Sequence, residues 1–206
     1  MYTHSKQIRI GGTAAANAKA ALIMIHGRGA SSDDIMGLAD HIKLADAALY
    51  APQATNNSWY PYSFMAPASA NEPALSSAID IIDQTVTQVI ADGIPADKVY
   101  FVGFSQGACL TLEYIARNAK QFGGAVAFTG GLIGEELLTA NYTGDFKQTP
   151  VLITTGDPDP HVPLTRVEES VAVFKALNAN VTLKVYEGKQ HSISLDELKL
   201  ANEYVF

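Results

Sequence analysis

One stretch of the sequence, residues 99–116, restricts the path of the chain more than any other. It begins with an apolar run, 99–102, that is typical of a strand buried on both faces of a sheet. Gly-Phe-Ser-Gln-Gly follows at 103–107, and residues 108–116 contain no Gly or Pro and favour a helix. A serine between glycines at such a junction sits on a sharp, strained turn, because the glycines let the chain fold back without Cβ clashes. The stretch therefore predicts a strand–turn–helix unit that exposes Ser105 at its turn.

Apolar runs elsewhere predict the remaining strands. They lie at 20–25, 48–51, 124–128, 150–155 and 181–186, with a half-exposed edge strand at 6–11. Helices are predicted between them, at about 31–45, 74–91, 164–177 and 194–204. Strands that alternate with helices indicate a mainly parallel sheet covered by helices on both faces. We therefore expect one α/β domain over residues 1–206.

Composition argues against several classes of function. The formal net charge of −7 and the pI near 5.1 argue against nucleic acid or an anionic membrane as a partner. No apolar run approaches membrane-spanning length, and the N-terminal residues lack the apolar core of a signal peptide. We therefore expect a cytoplasmic protein without stable membrane association. The single cysteine, Cys109, excludes an internal disulfide, and the five histidines lack metal-ligand spacing, so no metal or other cofactor is expected.

Three predicted strands are each followed by a loop that carries a reactive side chain. In chain order these are Ser105, the pair Asp157 and Asp159, and His191. Because the carboxyl ends of parallel strands meet at one edge of a sheet, we expect these side chains to lie close together. The order Ser, Asp, His is that of the hydrolase triad, in which an imidazole takes the serine proton and a carboxylate orients the imidazole. The spacing leaves both aspartates as candidates for that carboxylate.

Serine attack on a carbonyl also requires two donors for the oxyanion that forms. The candidates are the backbone N–H of Gln106, directly after the serine, and that of Arg28, in the loop after the strand at 20–25. The Arg28 side chain offers an alternative use for this residue, namely attraction of an anionic group on the substrate. The backbone N–H is the preferred assignment.

Four motifs carry a resemblance to a known family. They are His-Gly-Arg-Gly at 26–29, Gly-Phe-Ser-Gln-Gly at 103–107, Gly-Asp-Pro-Asp-Pro-His-Val-Pro at 156–163, and Tyr-Glu-Gly at 186–188 with His191. From about residue 20 to 191 the chain resembles the bacterial phospholipase/carboxylesterase family, which includes acyl-protein thioesterases and related small cytosolic serine esterases. The resemblance implies Ser105 as nucleophile, His191 as base and Asp159, rather than Asp157, as the acid. It also implies an α/β-hydrolase fold, which we expect to lack an inserted cap domain.

Two features set the chain apart from the thioesterase branch of that family. Arg28 stands where many of those enzymes have an apolar residue, and the segment 56–62 is more similar to that of the smaller esterases. The resemblance therefore implies small-molecule esters, rather than lipidated proteins, as substrates.

Two loops that follow predicted strands are candidates for the walls of a substrate pocket. We expect Trp59 and Tyr60 on the long loop 52–73, and Leu132 and Ile133 on the later loop, to contribute to it. The alternative is that these side chains only bury apolar area and hold their loops in place.

These observations predict a serine carboxylesterase that hydrolyses short- to medium-chain esters through an acyl-enzyme. Thioester or lysophospholipid hydrolysis by the same residues is the alternative among enzymes. A non-catalytic ligand-binding module with a hydrolase fold is the alternative outside them, and the complete set of Ser, Asp and His argues against it. An exposed apolar mouth would also allow homodimerisation.

Overall fold

A computed structural model describes residues 2–206, which form one seven-stranded sheet. The strands are β1 Ile8–Gly12, β2 Ala20–Ile25, β3 Ala47–Pro52, β4 Val99–Phe104, β5 Gly124–Phe128, β6 Pro150–Asp157 and β7 Asn180–Glu187. Their order across the sheet is β1-β3-β2-β4-β5-β6-β7. Strand β1 is antiparallel to β3, and the other neighbouring strands pair in parallel. The sheet is therefore mainly parallel, as the sequence predicts.

Helices cover both faces of the sheet. They are α1 Ser32–Met36, α2 Ala74–Ala91, α3 Gln106–Arg117, α4 Leu164–Ala176 and α5 Leu195–Tyr204. Short 3-10 turns lie at Ala15–Asn17, Gly37–His41, Thr55–Asn57, Ala68–Asn71, Ala96–Lys98 and Thr139–Asn141. Helices α2, α3 and α4 pack on one face of the sheet, and α1 and α5 pack on the other. Because each α-helix of the described residues packs on the sheet, none of them forms a separate cap.

The middle strand, β4, which leads to Ser105, is largely buried. Val99, Phe101 and Val102 are fully buried, and they alternate between the two cores as the pleat of a strand requires. Burial of each such side chain stabilises the fold by about 1.5–3 kcal/mol. This strand therefore gives the loop at its carboxyl end a rigid base.

The prediction of a helix over 31–45 is confirmed only for its first turn, Ser32–Met36, and is wrong beyond it. Ser31 caps α1 as expected, since its side chain accepts a hydrogen bond from the backbone N–H of Asp34. The α-helix ends at Met36, and Gly37 begins a 3-10 turn. Glycine has a low helix propensity, and its presence in the middle of the predicted segment explains the early end.

No helix within residues 2–206 has the length and apolar character needed to cross a lipid bilayer.

Candidate active site

The turn between β4 and α3 has the strained geometry that its sequence predicts. Ser105 has φ 53° and ψ −118°, a conformation that residues with a Cβ rarely adopt. A Cβ on Gly107 would lie 2.5 Å from the carbonyl oxygen of His26, and one on Gly103 would lie 2.6 Å from the Thr111 hydroxyl. Only glycine fits at both positions, because α3 begins in direct contact with the neighbouring strands.

Three side chains that are far apart in the sequence form a continuous hydrogen-bonded row at this turn. The Nε2 of His191 lies 2.8 Å from the Oγ of Ser105, and its Nδ1 lies 2.8 Å from the Oδ2 of Asp159. The Asp159 side chain is fully buried, whereas that of His191 is 19% exposed. The other candidate carboxylate, Asp157, is exposed at the end of β6. The structure therefore brings together Ser105, His191 and Asp159, and leaves Asp157 outside.

The surroundings of Asp159 keep its carboxylate charged. Burial by itself would raise its pKa, but hydrogen bonds from His191 and from the backbone N–H groups of His161 and Val162 favour the ionised form. The pKa of Asp159 is lowered as a result. An ionised Asp159 requires the Nδ1 of His191 to carry a proton, so the Nε2 is left to accept the proton of the Ser105 hydroxyl.

A buried ion pair holds the loop that carries His191. Lys189 Nζ lies 3.2 Å from Glu197 Oε1 and donates a hydrogen bond to the carbonyl of Ser192 at 2.6 Å. Glu197 is fully buried and also accepts hydrogen bonds from the backbone and hydroxyl of Ser194. This pair is not predicted from the sequence, in which only the capping pattern of Ser194 and Glu197 indicates it.

The two predicted oxyanion donors lie beside the serine. Arg28 and Gln106 line the same cavity as Ser105. Among residues 2–206, the backbone N–H groups of Arg28 and Gln106 have no hydrogen-bond acceptor, whereas that of Gly29 donates to the Asn57 carbonyl at 2.7 Å. These two N–H groups are therefore free to bind an oxygen atom inside the cavity.

The cavity has a volume of about 500 Å³ and mostly aromatic and apolar walls. Its wall residues include Tyr60, Pro61, Tyr62, Phe64, Phe104, Cys109, His161 and Val162. The rings of Phe104 and His161 also contact the ring of His191, with centroids 5.2 and 5.0 Å away. Phe104 directly precedes Ser105 in the Gly-Phe-Ser-Gln-Gly motif, so its place at the cavity wall could have been predicted from the sequence. Burial raises the pKa of the Cys109 thiol to about 12, so Cys109 stays neutral at the wall.

Of the four side chains expected at the pocket, the structure places only Tyr60 there. Trp59 requires a correction, since it is fully buried behind the wall and its indole N–H donates to the carbonyl of His26 at 2.9 Å. Leu132 is also fully buried, and Ile133 lines a separate cavity of about 200 Å³.

Polar side chains on the neighbouring helices explain this path of the 132–134 loop. Buried Arg166 on α4 donates hydrogen bonds to the carbonyls of Leu132 and Gly134. Buried Glu113 on α3 accepts one from the backbone N–H of Ile133 at 2.9 Å. These contacts draw the loop against α3 and α4, away from Ser105.

His26 is a structural residue beside the site. It is fully buried, its Nδ1 lies 2.7 Å from the carbonyl of Gly27, and its Nε2 accepts from the backbone N–H of Ala54 at 3.1 Å. Burial lowers the pKa of His26, which favours the neutral imidazole that this arrangement needs. No cluster of three or more His, Cys, Asp or Glu side chains within residues 2–206 is placed to hold a metal ion.

Comparison with known sequences places this geometry in a family. Residues 12–205 match the sequence profile described as Phospholipase/Carboxylesterase. A protein of Arabidopsis thaliana named Probable carboxylesterase SOBER1-like is 30% identical over 135 residues, which are 66% of this chain and 52% of that protein. Acyl-protein thioesterase 1 of Kluyveromyces lactis is 27% identical over 202 residues, which are 88% of this chain and 89% of that protein. The chain thus spans about half the length of the plant relative and most of the yeast one.

Solved structures agree with the sequence comparison. The crystal structure of a phospholipase/carboxylesterase from Dyadobacter fermentans is 58% identical, with a TM-score of 0.99 over 100% of this chain and 98% of that one. The crystal structure of esterase PE8 is 25% identical, with a TM-score of 0.80 over 95% of each chain. These likenesses confirm the predicted α/β-hydrolase fold. With a profile match over nearly its whole length, the chain belongs to the phospholipase/carboxylesterase family.

Proposed function

We infer that the protein is a serine carboxylesterase that cleaves small carboxylic esters through an acyl-enzyme on Ser105. The observation that carries this proposal is the unbroken row from Ser105 through His191 to Asp159, with 2.8 Å at each junction. The row ends at a cavity that Arg28 and Gln106 also line, and the backbone N–H groups of these two residues have no acceptor within residues 2–206. Nucleophile, base, orienting acid and oxyanion donors are the parts that acyl transfer needs.

The reaction follows from this arrangement in two halves. As the Ser105 Oγ attacks the ester carbonyl carbon, the Nε2 of His191 takes its proton and the carbonyl electrons move onto oxygen. The N–H groups of Arg28 and Gln106 hold the oxyanion, which then collapses and expels the alcohol with the proton from His191. Water repeats these steps on the acyl-enzyme and releases the acid. Asp159 keeps its charge throughout and stabilises the imidazolium.

The cavity supports short to medium acyl chains and small-molecule partners. Its volume of about 500 Å³ suits a small ligand, and its walls are largely aromatic and apolar. Thioester hydrolysis by the same residues is the second candidate, because Acyl-protein thioesterase 1 of Kluyveromyces lactis matches over nearly its whole length. Rates on an oxygen ester and a sulfur ester of one acyl group will separate the two.

Three further properties stay predictions from the sequence, namely cytoplasmic location, a single domain over 1–206 and homodimerisation.

The decisive experiment is hydrolysis of p-nitrophenyl esters of increasing acyl length by the wild type and by Ser105→Ala. We expect the substitution to lower kcat by at least about 10³-fold, since the nucleophile is lost. Circular dichroism will show that the variant is folded. A wild type that neither hydrolyses these esters nor labels with a fluorophosphonate would overturn the proposal, and a ligand-binding role would replace it.

A further inference from the structure

Gln106, one of the two proposed oxyanion donors, uses its side chain as well as its backbone. Its Oε1 accepts a hydrogen bond from the backbone N–H of Trp59 at 2.9 Å, and its Nε2 donates to the carbonyl of Tyr60 at 2.8 Å. Gln106 is only 6% exposed. Both the oxygen and the nitrogen of this buried amide are therefore hydrogen-bonded to the backbone of two consecutive residues in the loop after β3.

Arg28, the other proposed donor, binds the same loop. Its Nη1 donates to the carbonyl of Pro61 at 2.9 Å and to the hydroxyl of Ser58 at 3.1 Å, and its Nη2 donates to the carbonyl of Tyr62 at 2.7 Å. The guanidinium carbon also lies 6.0 Å from the centroid of the Tyr60 ring. The two side chains together hold residues 58–62, which we name the clamp segment.

Two further hydrogen bonds join the loop that carries Arg28, residues 26–29, to the clamp segment and to Asn57, the residue directly before it. The indole N–H of Trp59 donates to the carbonyl of His26, and the backbone N–H of Gly29 donates to the carbonyl of Asn57. Tyr60 and Tyr62 of the same segment line the cavity. The clamp segment thus forms part of the cavity wall and also binds the side chains of both residues that supply the oxyanion donors.

We propose that the side chains of Arg28 and Gln106 are positioning groups, which fix the oxyanion hole by fastening its two residues to the clamp segment. This inference rests on the proposed function, because it concerns the same reaction. An oxyanion hole stabilises a transition state only when its donors are already aimed at the developing charge, and a displacement of about 1 Å can cost about 10²-fold in rate. The clamp segment can serve as the fixed reference, because its Trp59 and Tyr60 are fully buried and the backbone N–H of Tyr62 donates to the Oδ1 of Asn71 at 2.9 Å.

Arg28→Met tests this proposal without touching the oxyanion donor, since every residue type except proline keeps a backbone N–H. Arg28 is exposed, so its replacement leaves the core intact. We expect kcat on p-nitrophenyl butyrate to fall about 10- to 100-fold with little change in KM, because the loss is confined to the transition state. Arg28→Lys retains one cationic donor and should recover part of kcat. The exposed arginine at position 9, paired with Asp33, provides the control Arg9→Met, which should be silent.

A second, anionic substrate separates positioning from substrate attraction. The clamp predicts the same fall in kcat for p-nitrophenyl hemisuccinate as for the butyrate. A rise in KM that is confined to the hemisuccinate would make Arg28 a substrate-binding group and overturn the proposal. Unchanged kcat for both esters in Arg28→Met would also overturn it.

Trp59 gives a readout that does not depend on activity. It is the single tryptophan of the chain, it is fully buried, and it belongs to the clamp segment. Acrylamide should quench its fluorescence more strongly in Arg28→Met and in Gln106→Glu, which keeps the size of the side chain but cannot donate to Tyr60. Quenching equal to that of the wild type would overturn the clamp even if the wild type proved inactive on every ester. Inactivity of the wild type with increased quenching in the variants would instead contradict the proposed function and support the clamp.

Discussion

The strained backbone at Ser105 should reverse the usual stability order of alanine and glycine substitutions at that position. Glycine in a protein interior normally destabilises relative to alanine, because it loses more backbone freedom on folding. At Ser105, with φ 53° and ψ −118°, alanine keeps a Cβ in a conformation that disfavours one, whereas glycine does not. Both substitutions remove the hydrogen bond to His191, so that loss cancels in the comparison. We therefore expect Ser105→Gly to be more stable than Ser105→Ala.

The size of the difference follows from two opposing contributions. A residue held in a sparsely populated φ/ψ region costs about 1–3 kcal/mol, which glycine removes. Glycine also makes the unfolded chain more flexible, which costs about 0.4–1 kcal/mol. The net advantage of Ser105→Gly in free energy of unfolding is roughly 1–2 kcal/mol, or about 2–8 °C in Tm for a chain of this length.

Urea unfolding followed by far-UV circular dichroism measures this difference directly. The matched control is Thr87, which is exposed in the interior of helix α2. There Thr87→Gly should be less stable than Thr87→Ala by about 1 kcal/mol. If glycine were also the less stable choice at Ser105, by a similar amount, the argument that the turn stores strain would be refuted.

Three further predictions follow from the site and its supports. Asp159→Asn should lower kcat by about 10⁴-fold through the wrong imidazole tautomer, and Asp157→Asn, assayed on the same ester, should not. The native pKa of His26 lies below the unfolded value of about 6.5, so below that pH the native state binds fewer protons than the unfolded state and the free energy of unfolding falls. Urea unfolding between about pH 5 and 7.5 should show a shallower fall in His26→Gln. Gly107→Ala drives a Cβ into the carbonyls at the end of β2 and should destabilise by about 3 kcal/mol or more, whereas Gly37→Ala, with nothing within 4 Å, should not lower Tm.

The sequence was sufficient for the parts of the site that depend on strand ends. Ser105 was identifiable because its motif, the preceding strand and the following helix all lie in one uninterrupted stretch of sequence. His191 was identifiable because it follows a strand and the parallel sheet brings strand ends together. Asp157 and Asp159 could not be separated by spacing, because both follow the same strand and only the path of the turn decides which side chain faces the histidine.

The walls of the cavity were less predictable. Trp59 and Tyr60 are adjacent and aromatic, yet one is buried behind the wall and the other lines it. Leu132 is drawn away from Ser105 because Arg166, 34 residues later, binds its carbonyl. Contacts between a side chain and the backbone of a residue far away in the sequence leave no periodic pattern, so the paths of these loops could not be predicted.

The order of strands has a consequence for how the protein matures. Ser105 follows the middle strand of the sheet, while His191 follows the edge strand β7, with β5 and β6 between them. During synthesis the serine emerges 86 residues before the histidine, and their meeting must wait until β5, β6 and β7 have been added in turn. A nascent or truncated chain can therefore hold a fully formed turn at Ser105 and still be inert. We expect enzymatic competence to appear only with the last strand, so that during refolding recovered activity reports completion of the sheet rather than its initiation.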